Sequence, residues 1–574
     1  MRIWVEKSSI KGCSAATKVE REITFEGDWR VYGFWVSLSA LVLLTYVEQA
    51  WKTHWYVDDY YFFPFLEKSL LASLKMWYEI WGFERLQYIF LARIFYPLGE
   101  GYAQVALLGL HLLCAVALYL LMTRMQWPSQ VALGAALLFC ILPFQYESVL
   151  WVAIFCHVSH LAVISAALFY IEGAYRKGRN RWLYWFTAGV LGVVSCTGYG
   201  TYTFAPLIIL LIPVGLRTLP RNDRSKCWVG TLLVSLLPVL IYIGFLLVKR
   251  YELRGDPTFE NIPRVLLSTQ WHALRDILSG YRSLLMGYPG LYLSKYFLYG
   301  GIVCSCVLAY VITTGIKRAN YFSVIRYYVW AYGLILVGYS IWWFRGASPG
   351  VPRMHYFASM GIAAAAAGII YGLRARSWYM LAGTRIMLAG IIFATAAISH
   401  ERAWTFVSNT EQVALRVRNF KPVPTQVFAE IYAECGRIYW VKNIANKSVR
   451  PIYDKYYIMQ WVKTGYWAFW PSNPEEDEMK MCDALKMTYG QLWPLLDDEE
   501  RISLARKAAE IIGEVAVRED LPSVRNLGVE VRNSYPADLG SLDVLVEALF
   551  KGLFLKRKRL DGLISEYKWE TCNG

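Results

Sequence analysis

Long apolar runs, each closed by a short polar or basic loop, recur along this chain from Val31 to about His400 and then stop. A helix needs about 20 mostly apolar residues to cross the ~30 Å hydrocarbon core of a bilayer. On that measure the pattern predicts about 11 spans, near Val31–Ala50, Tyr102–Met122, Val131–Leu142, Val149–Ile171, Trp182–Cys196, Tyr202–Gly215, Trp228–Val248, Tyr296–Ile316, Tyr327–Trp343, Phe357–Leu373 and Met380–His400. One stretch departs from the pattern: between Phe62 and Pro97 charged residues mix with Trp, Tyr and Leu at helical spacing. Such a segment is expected to lie along the membrane surface rather than cross it, which places interfacial helices in the loop after the first span. Three regions follow: an N-terminal segment over 1–30, a membrane domain over 31–400 and a soluble domain over 401–574. In the last, Asp497–Glu519 opens with acids that suit a helix N-terminus, and Leu542–Tyr567 carries a second helical pattern. The fold class expected is an all-α polytopic membrane bundle with a mainly helical soluble domain.

Composition agrees. The chain has 574 residues, 56% of them hydrophobic and 18% charged, which excludes an ordinary soluble enzyme. The net charge of +15 falls mostly in loops of the membrane part, where basic residues mark the cytoplasmic side, so no nucleic acid is needed to explain it. The basic segment ahead of the first span argues for a cytoplasmic N-terminus, and basic loops at Arg176–Arg181 and Arg217–Lys226 fall where an alternating chain requires them. The first loop and the soluble domain then lie outside, with a bacterial inner membrane favoured. Many of the 11 cysteines sit within apolar runs and read as small buried hydrophobes; no metal-ligand spacing is present.

Candidate chemistry gathers in the first outer loop, where Asp58 and Asp59 are embedded among Trp55, Tyr56, Tyr60, Tyr61, Phe62 and Phe63. Solvated helix-capping acids would also read this way. Aromatic faces of this density, Trp55 and Tyr60 in particular, can hold a sugar ring and desolvate a carboxylate, which suits a general base or a metal ligand. Glu147, behind Pro143 at the next outer turn, reads equally as a cap and as acceptor or metal support. Arg275, Arg282, Arg353 and His355 read either as a snorkelling interfacial fringe or as binders of a phosphate. His157 and His160 within the fourth span read as packing residues.

Together, the acidic pair after the first span, LPFQYESVLW at Leu142–Trp151, the long basic loop and GVPRMHYFASMG at Gly350–Gly361 resemble integral-membrane glycosyltransferases of the GT-C superfamily. The nearest resemblance is to the protein O-mannosyltransferase-like and tetratricopeptide-containing mannosyltransferase-like branch, over roughly 31–405. The resemblance implies a GT-C-like bundle and transfer of a hexose or pentose, with inversion, from a polyprenyl-phosphate sugar lipid to a hydroxyl of a protein or glycan at the outer face. It makes Asp58 or Asp59 the base, with a divalent metal, Mg or Mn, as a possible cofactor. Two departures stand out: Asp-Asp where that family often has Asp-Glu, and a tail without a tetratricopeptide consensus. A transporter or flippase of lipid-linked glycan, or a polymerase or ligase, is the alternative; the first should show matched internal repeats, which are not evident.

Overall fold

The computed structural model describes residues 29–55, 59, 66, 69–74, 86–176, 178–198, 202–215, 224–248, 271, 274–275, 277–282, 293–314, 321–345, 355–372, 378–419, 427, 430–431, 434–435, 482–483, 485–486, 489–490, 492–534 and 537–572. Regular structure among the described residues is helical throughout. The membrane part comprises α1 (Trp29–Lys52), α2 (Gln87–Phe95), α3 (Tyr102–Arg124), α4 (Ser129–Ile141), α5 (Tyr146–Leu150), α6 (Cys156–Tyr175), α7 (Arg179–Cys196), α8 (Ile208–Gly215), α9 (Arg224–Val248), α10 (Lys295–Thr313), α11 (Tyr321–Arg345), α12 (Tyr356–Gly372) and α13 (Trp378–Asn419). Of these, α1, α3, α6, α10 and residues Ala382–Glu411 of α13 are long and apolar enough to cross a membrane. Ser129–Ile141, Trp228–Gly244 and Tyr356–Ile369 are shorter apolar helices.

The centre of the bundle is α4. Its sequence, SQVALGAALLFCI, is apolar on every side, and every residue from Val131 to Ile141 is buried. A helix apolar all round belongs in an interior, and α4 packs against α1, α3, α10, α12 and α13. Small residues set the closest approaches. Gly338 of α11 lies so close to α12 that an added Cβ would come within 2.6 Å of the Ala358 Cα.

The C-terminal end of α1 closes on the start of α3, where Gly101 lies against Trp51, and the end of α4 meets the starts of α6 and α12 around His111 of α3, which lies 2.9 Å from the Tyr356 hydroxyl and 3.2 Å from the Cys140 carbonyl. Buried polar side chains also tie α1 to α13: the Gln49 amide of α1 lies 2.8 Å from His400 Nδ1 of α13, and His400 stacks on Phe297 at 4.4 Å. α13 runs unbroken past His400, with Ala403 and Phe406 still in the membrane-part core. By contrast, α7 and α9 leave Phe186, Leu233 and Leu240 exposed, apolar surface of the kind a bilayer covers.

The tail forms a second core from α14 (Asp498–Arg518), α15 (Pro522–Asn533) and α16 (Leu539–Cys572), centred on Leu504, Ile512, Leu545 and Leu549. The acids expected at a helix start do cap one: Asp497 accepts from the Glu500 amide, and Glu500 accepts in return from the Asp497 amide.

Candidate active site

Where α1 ends, Thr53 Oγ1 donates to the Gln49 carbonyl at 2.7 Å and the chain turns. Glu100 catches it there. One Glu100 oxygen accepts the Trp55 amide at 2.9 Å and the other lies 2.9 Å from His54 Nδ1. The adjoining Gly101 has φ +79°, and a Cβ there would press to 3.1 Å from the Trp51 carbonyl, so glycine lets the start of α3 close on the end of α1.

Asp59 is 1% exposed. Its Oδ1 accepts two hydrogen bonds, from the Tyr96 hydroxyl at 2.9 Å and from the Ala153 amide at 2.7 Å. Tyr96 opens the 3₁₀ turn Tyr96–Leu98 that closes α2, with Pro97 suited to its first turn. The Trp55 indole stacks on the Tyr96 ring, centroids 4.8 Å apart and planes 26° from parallel. A carboxylate thus sits at the hydroxyl edge of an aromatic pair whose other member, Trp55, is only half-buried.

Ala153 lies in the 3₁₀ turn Val152–Ile154, between α5 and α6. A fourth span running unbroken over 149–171 would have hidden this amide inside a helix. Instead the helix starts at Cys156, because Phe155 adopts the left-handed conformation, φ +42° and ψ +26°. That costs a bulky side chain about 1–2 kcal/mol. The Phe155 ring, packed among Tyr88, Phe95 and Tyr96, offsets it, and the Tyr88 hydroxyl donates to the Ile154 carbonyl. Asp59 and α2 together hold the break open.

The same loop carries Glu147, half-buried on α5. Its neighbours are pinned from two helices. Arg402 of α13 donates to the Pro143 carbonyl at 3.1 Å, Ser399 donates to the Ile141 carbonyl at 2.7 Å, and Gln145 donates to Ser359 of α12 at 2.7 Å. His355, expected on a basic fringe, is 1% exposed, 2.7 Å from the Tyr339 hydroxyl and packed on Phe144. His157 and His160 are buried among rings, His160 stacking on Phe139 at 5.0 Å.

The structure therefore joins Asp59 and Trp55 and sets Glu147 in the loop that supplies the Ala153 amide. Arg275 and Arg282 are exposed, and no hydrogen bond or ion pair among the described residues joins them to this cluster. Asp58, Tyr60 and Arg353 lie outside the described residues. Sequence reasoning passed over Tyr96, Ala153, Glu100 and Arg402. A Tyr-Pro step closing the interfacial pattern was the available signal for Tyr96; a backbone amide carries none. Among the described residues no three His, Cys, Asp or Glu side chains converge as a metal site, so Asp59 has no described set of co-ligands, and no chemical step is derived through a metal.

No protein-family model matches the chain, and no curated protein sequence does. Among solved structures, the chain is similar to the Archaeoglobus fulgidus oligosaccharyltransferase in its apo form, with 14% identity and a TM-score of 0.39 over 79% of this chain and 62% of that one. The same archaeal enzyme in complex with Zn and sulfate matches at 16% identity and TM-score 0.38, over 77% and 59% of the two chains. AglB from Archaeoglobus fulgidus, in complex with an inhibitory peptide and a dolichol-phosphate, matches at 15% and 0.38, over 78% and 62%. This chain thus spans about three fifths of the length of the structures it matches. At that similarity neither the fold nor the activity of the archaeal enzyme transfers to it.

Proposed function

We propose that this chain is a membrane glycosyltransferase of GT-C type, with about 11 spans, that moves a sugar from a polyprenyl-phosphate lipid to an acceptor hydroxyl at the outer face. The N-terminus is cytoplasmic and the helical tail extracytoplasmic. The observation that supports this reading most is Asp59: a carboxylate buried in the loop after the first span, its orientation set by two donors, at the hydroxyl edge of the Trp55–Tyr96 pair. The bilayer-sized helices and the resemblance of Pro143–Trp151 and Arg353–Tyr356 to GT-C sequence motifs support it as well.

In this reading Asp59 takes the proton of the acceptor hydroxyl as its oxygen attacks the anomeric carbon. The bond from that carbon to the phosphate oxygen breaks on the opposite face, its electron pair leaves with the lipid phosphate, and configuration inverts. Trp55 supplies a face for the sugar ring. The Tyr96 hydroxyl and the Ala153 amide hold the carboxylate in one orientation, so little reorganisation accompanies proton transfer. Arg353, which precedes the His355 that anchors the start of α12, is the first candidate to meet the charge on the leaving phosphate. Glu147 supports the acceptor.

The test is transfer from a radiolabelled polyprenyl-phosphate sugar pool by purified protein, with Asp58→Asn and Asp59→Asn beside the unaltered chain and with chelator as a separate arm. Loss of a positioned general base costs about 10²–10⁴-fold. Asp59→Asn is expected to retain donor binding and lose transfer on that scale; transfer at the unaltered rate would sink the assignment.

A further inference from the structure

One surface near the bundle carries chemistry that the proposed reaction does not use. The described positions between 271 and 282 are all helical, and their two sides differ. Ile277, Gly280 and Tyr281 face the bundle: the Tyr281 hydroxyl is 2.5 Å from Thr395 Oγ1 of α13, and a Cβ on Gly280 would meet Ile398 at 2.6 Å. Ser279 accepts from Arg402 at 3.3 Å. The segment is thus seated on the stretch of α13 from Thr395 to Arg402, within the apolar window Ala382–Glu411.

Its other side is Trp271, Leu274 and Leu278, 59%, 46% and 53% exposed, with Arg275 and Arg282 exposed beside them. Among the described residues neither arginine makes an ion pair or a hydrogen bond. A Trp and two leucines bordered by two cations, on a segment whose back rests on a spanning helix, match a surface sunk to headgroup depth. On such a surface apolar side chains enter the acyl boundary and guanidinium groups stay at the phosphates.

We propose that this face is a docking surface for the bilayer itself, and that Arg275 and Arg282 bind the phosphates of anionic phospholipids there. The surface fixes the height of the Ser279–Arg402–Pro143 connection relative to the membrane. It stands independently of the transfer reaction.

The experiment places photoreactive benzoylphenylalanine at Trp271, Leu274 or Leu278, and at Ile277 as the inward control, in the full chain reconstituted in nanodiscs. These contain phosphatidylcholine with a minor fraction of phosphatidylglycerol. Illumination is expected to give lipid adducts at the three outward positions and none at Ile277. Phosphatidylglycerol adducts should exceed its bulk share by roughly fivefold for each guanidinium group, up to about thirtyfold for the pair. Arg275→Gln with Arg282→Gln should return that ratio to the bulk value while phosphatidylcholine adducts persist. Adducts to another part of the chain at the outward positions would overturn the proposal, as would phosphatidylglycerol captured only at its bulk share. Selective displacement of phosphatidylglycerol by a few mole per cent of polyprenyl phosphate would also overturn it, by making the face a donor-lipid site.

Discussion

Replacing Asp59 by Asn separates the architecture of the site from its chemistry. The amide is nearly isosteric, and its oxygen can still accept from Tyr96 and from Ala153, so the change removes charge while keeping shape. A hydrogen bond to an ionised group contributes about 1.5–3 kcal/mol and one to a neutral group about 0.5–1.5, so each bond weakens by about 1–1.5 kcal/mol. Two such bonds meet at Asp59 Oδ1. If they open as one latch, the loss is about 2–3 kcal/mol, or roughly 30- to 150-fold in the opening equilibrium. The readout is the Ala153 amide itself, followed by hydrogen exchange and mass spectrometry on peptides spanning the Val152–Ile154 turn. Exchange there should accelerate by that factor, with amides in the middle of α6 unchanged. Tyr96→Phe, which keeps the ring for Trp55 to stack on but deletes one of the two bonds outright, should accelerate exchange on a comparable scale, about 1.5–3 kcal/mol or roughly 10- to 150-fold. Unaltered exchange at Ala153 in Asp59→Asn would refute the reasoning, because the carboxylate would then not be what holds the break in the helix.

Two further outcomes follow from other parts of the molecule. At Phe155, held at φ +42°, Phe155→Gly should be more stable than Phe155→Ala by about 1 kcal/mol, although both lose the ring packing; heating followed by size-exclusion analysis ranks them, and the usual helix order, Ala above Gly, would contradict the left-handed assignment. In the tail, Lys486 at 2.7 Å and then Lys551 hold the Glu547 carboxyl down, from 4.5 to about 2, and the Ser541 hydroxyl and amide lower Asp538. A lowered folded value means stability that is present above the unfolded value and lost as pH falls through the folded one. Protection of α16 against exchange, corrected for intrinsic rates, should therefore fall between about pH 4.5 and 2, and Glu547→Gln should flatten that fall.

Much of the helical frame was legible because its signal is local. The apolar runs near 102–122, 228–248 and 296–316 carry their own periodicity and length, and α3, α9 and α10 lie over them within a few residues. Asp497 announced a helix start through its own side chain and that of Glu500. The carboxylate pair stood out because acids are rare beside so many aromatics. Its partners did not. Tyr96 reaches Asp59 across a loop, Ala153 contributes only a backbone amide, and Glu100 acts through the turn at Gly101, so none has a spacing to read. The break before Cys156 was hidden as well. VLWVAIFCHV has neither glycine nor proline, and its apolar pattern suits a helix as well as a turn.

By itself the sequence determined the helical character of the described residues, bilayer-length apolar helices, a helix start in the tail at Asp497 and an acid-bearing aromatic stretch after the first long helix, since hydrophobic burial and capping act within a turn or two of each residue. Tertiary structure decided that Asp59 is buried and oriented, that the chain leaves the helix at Phe155, and that Arg402 ties the Pro143 turn to Ser279. Each of these rests on partners distant in the chain. A hydrogen bond to a buried carboxylate outweighs one more residue of helix only where packing brings the donors to it.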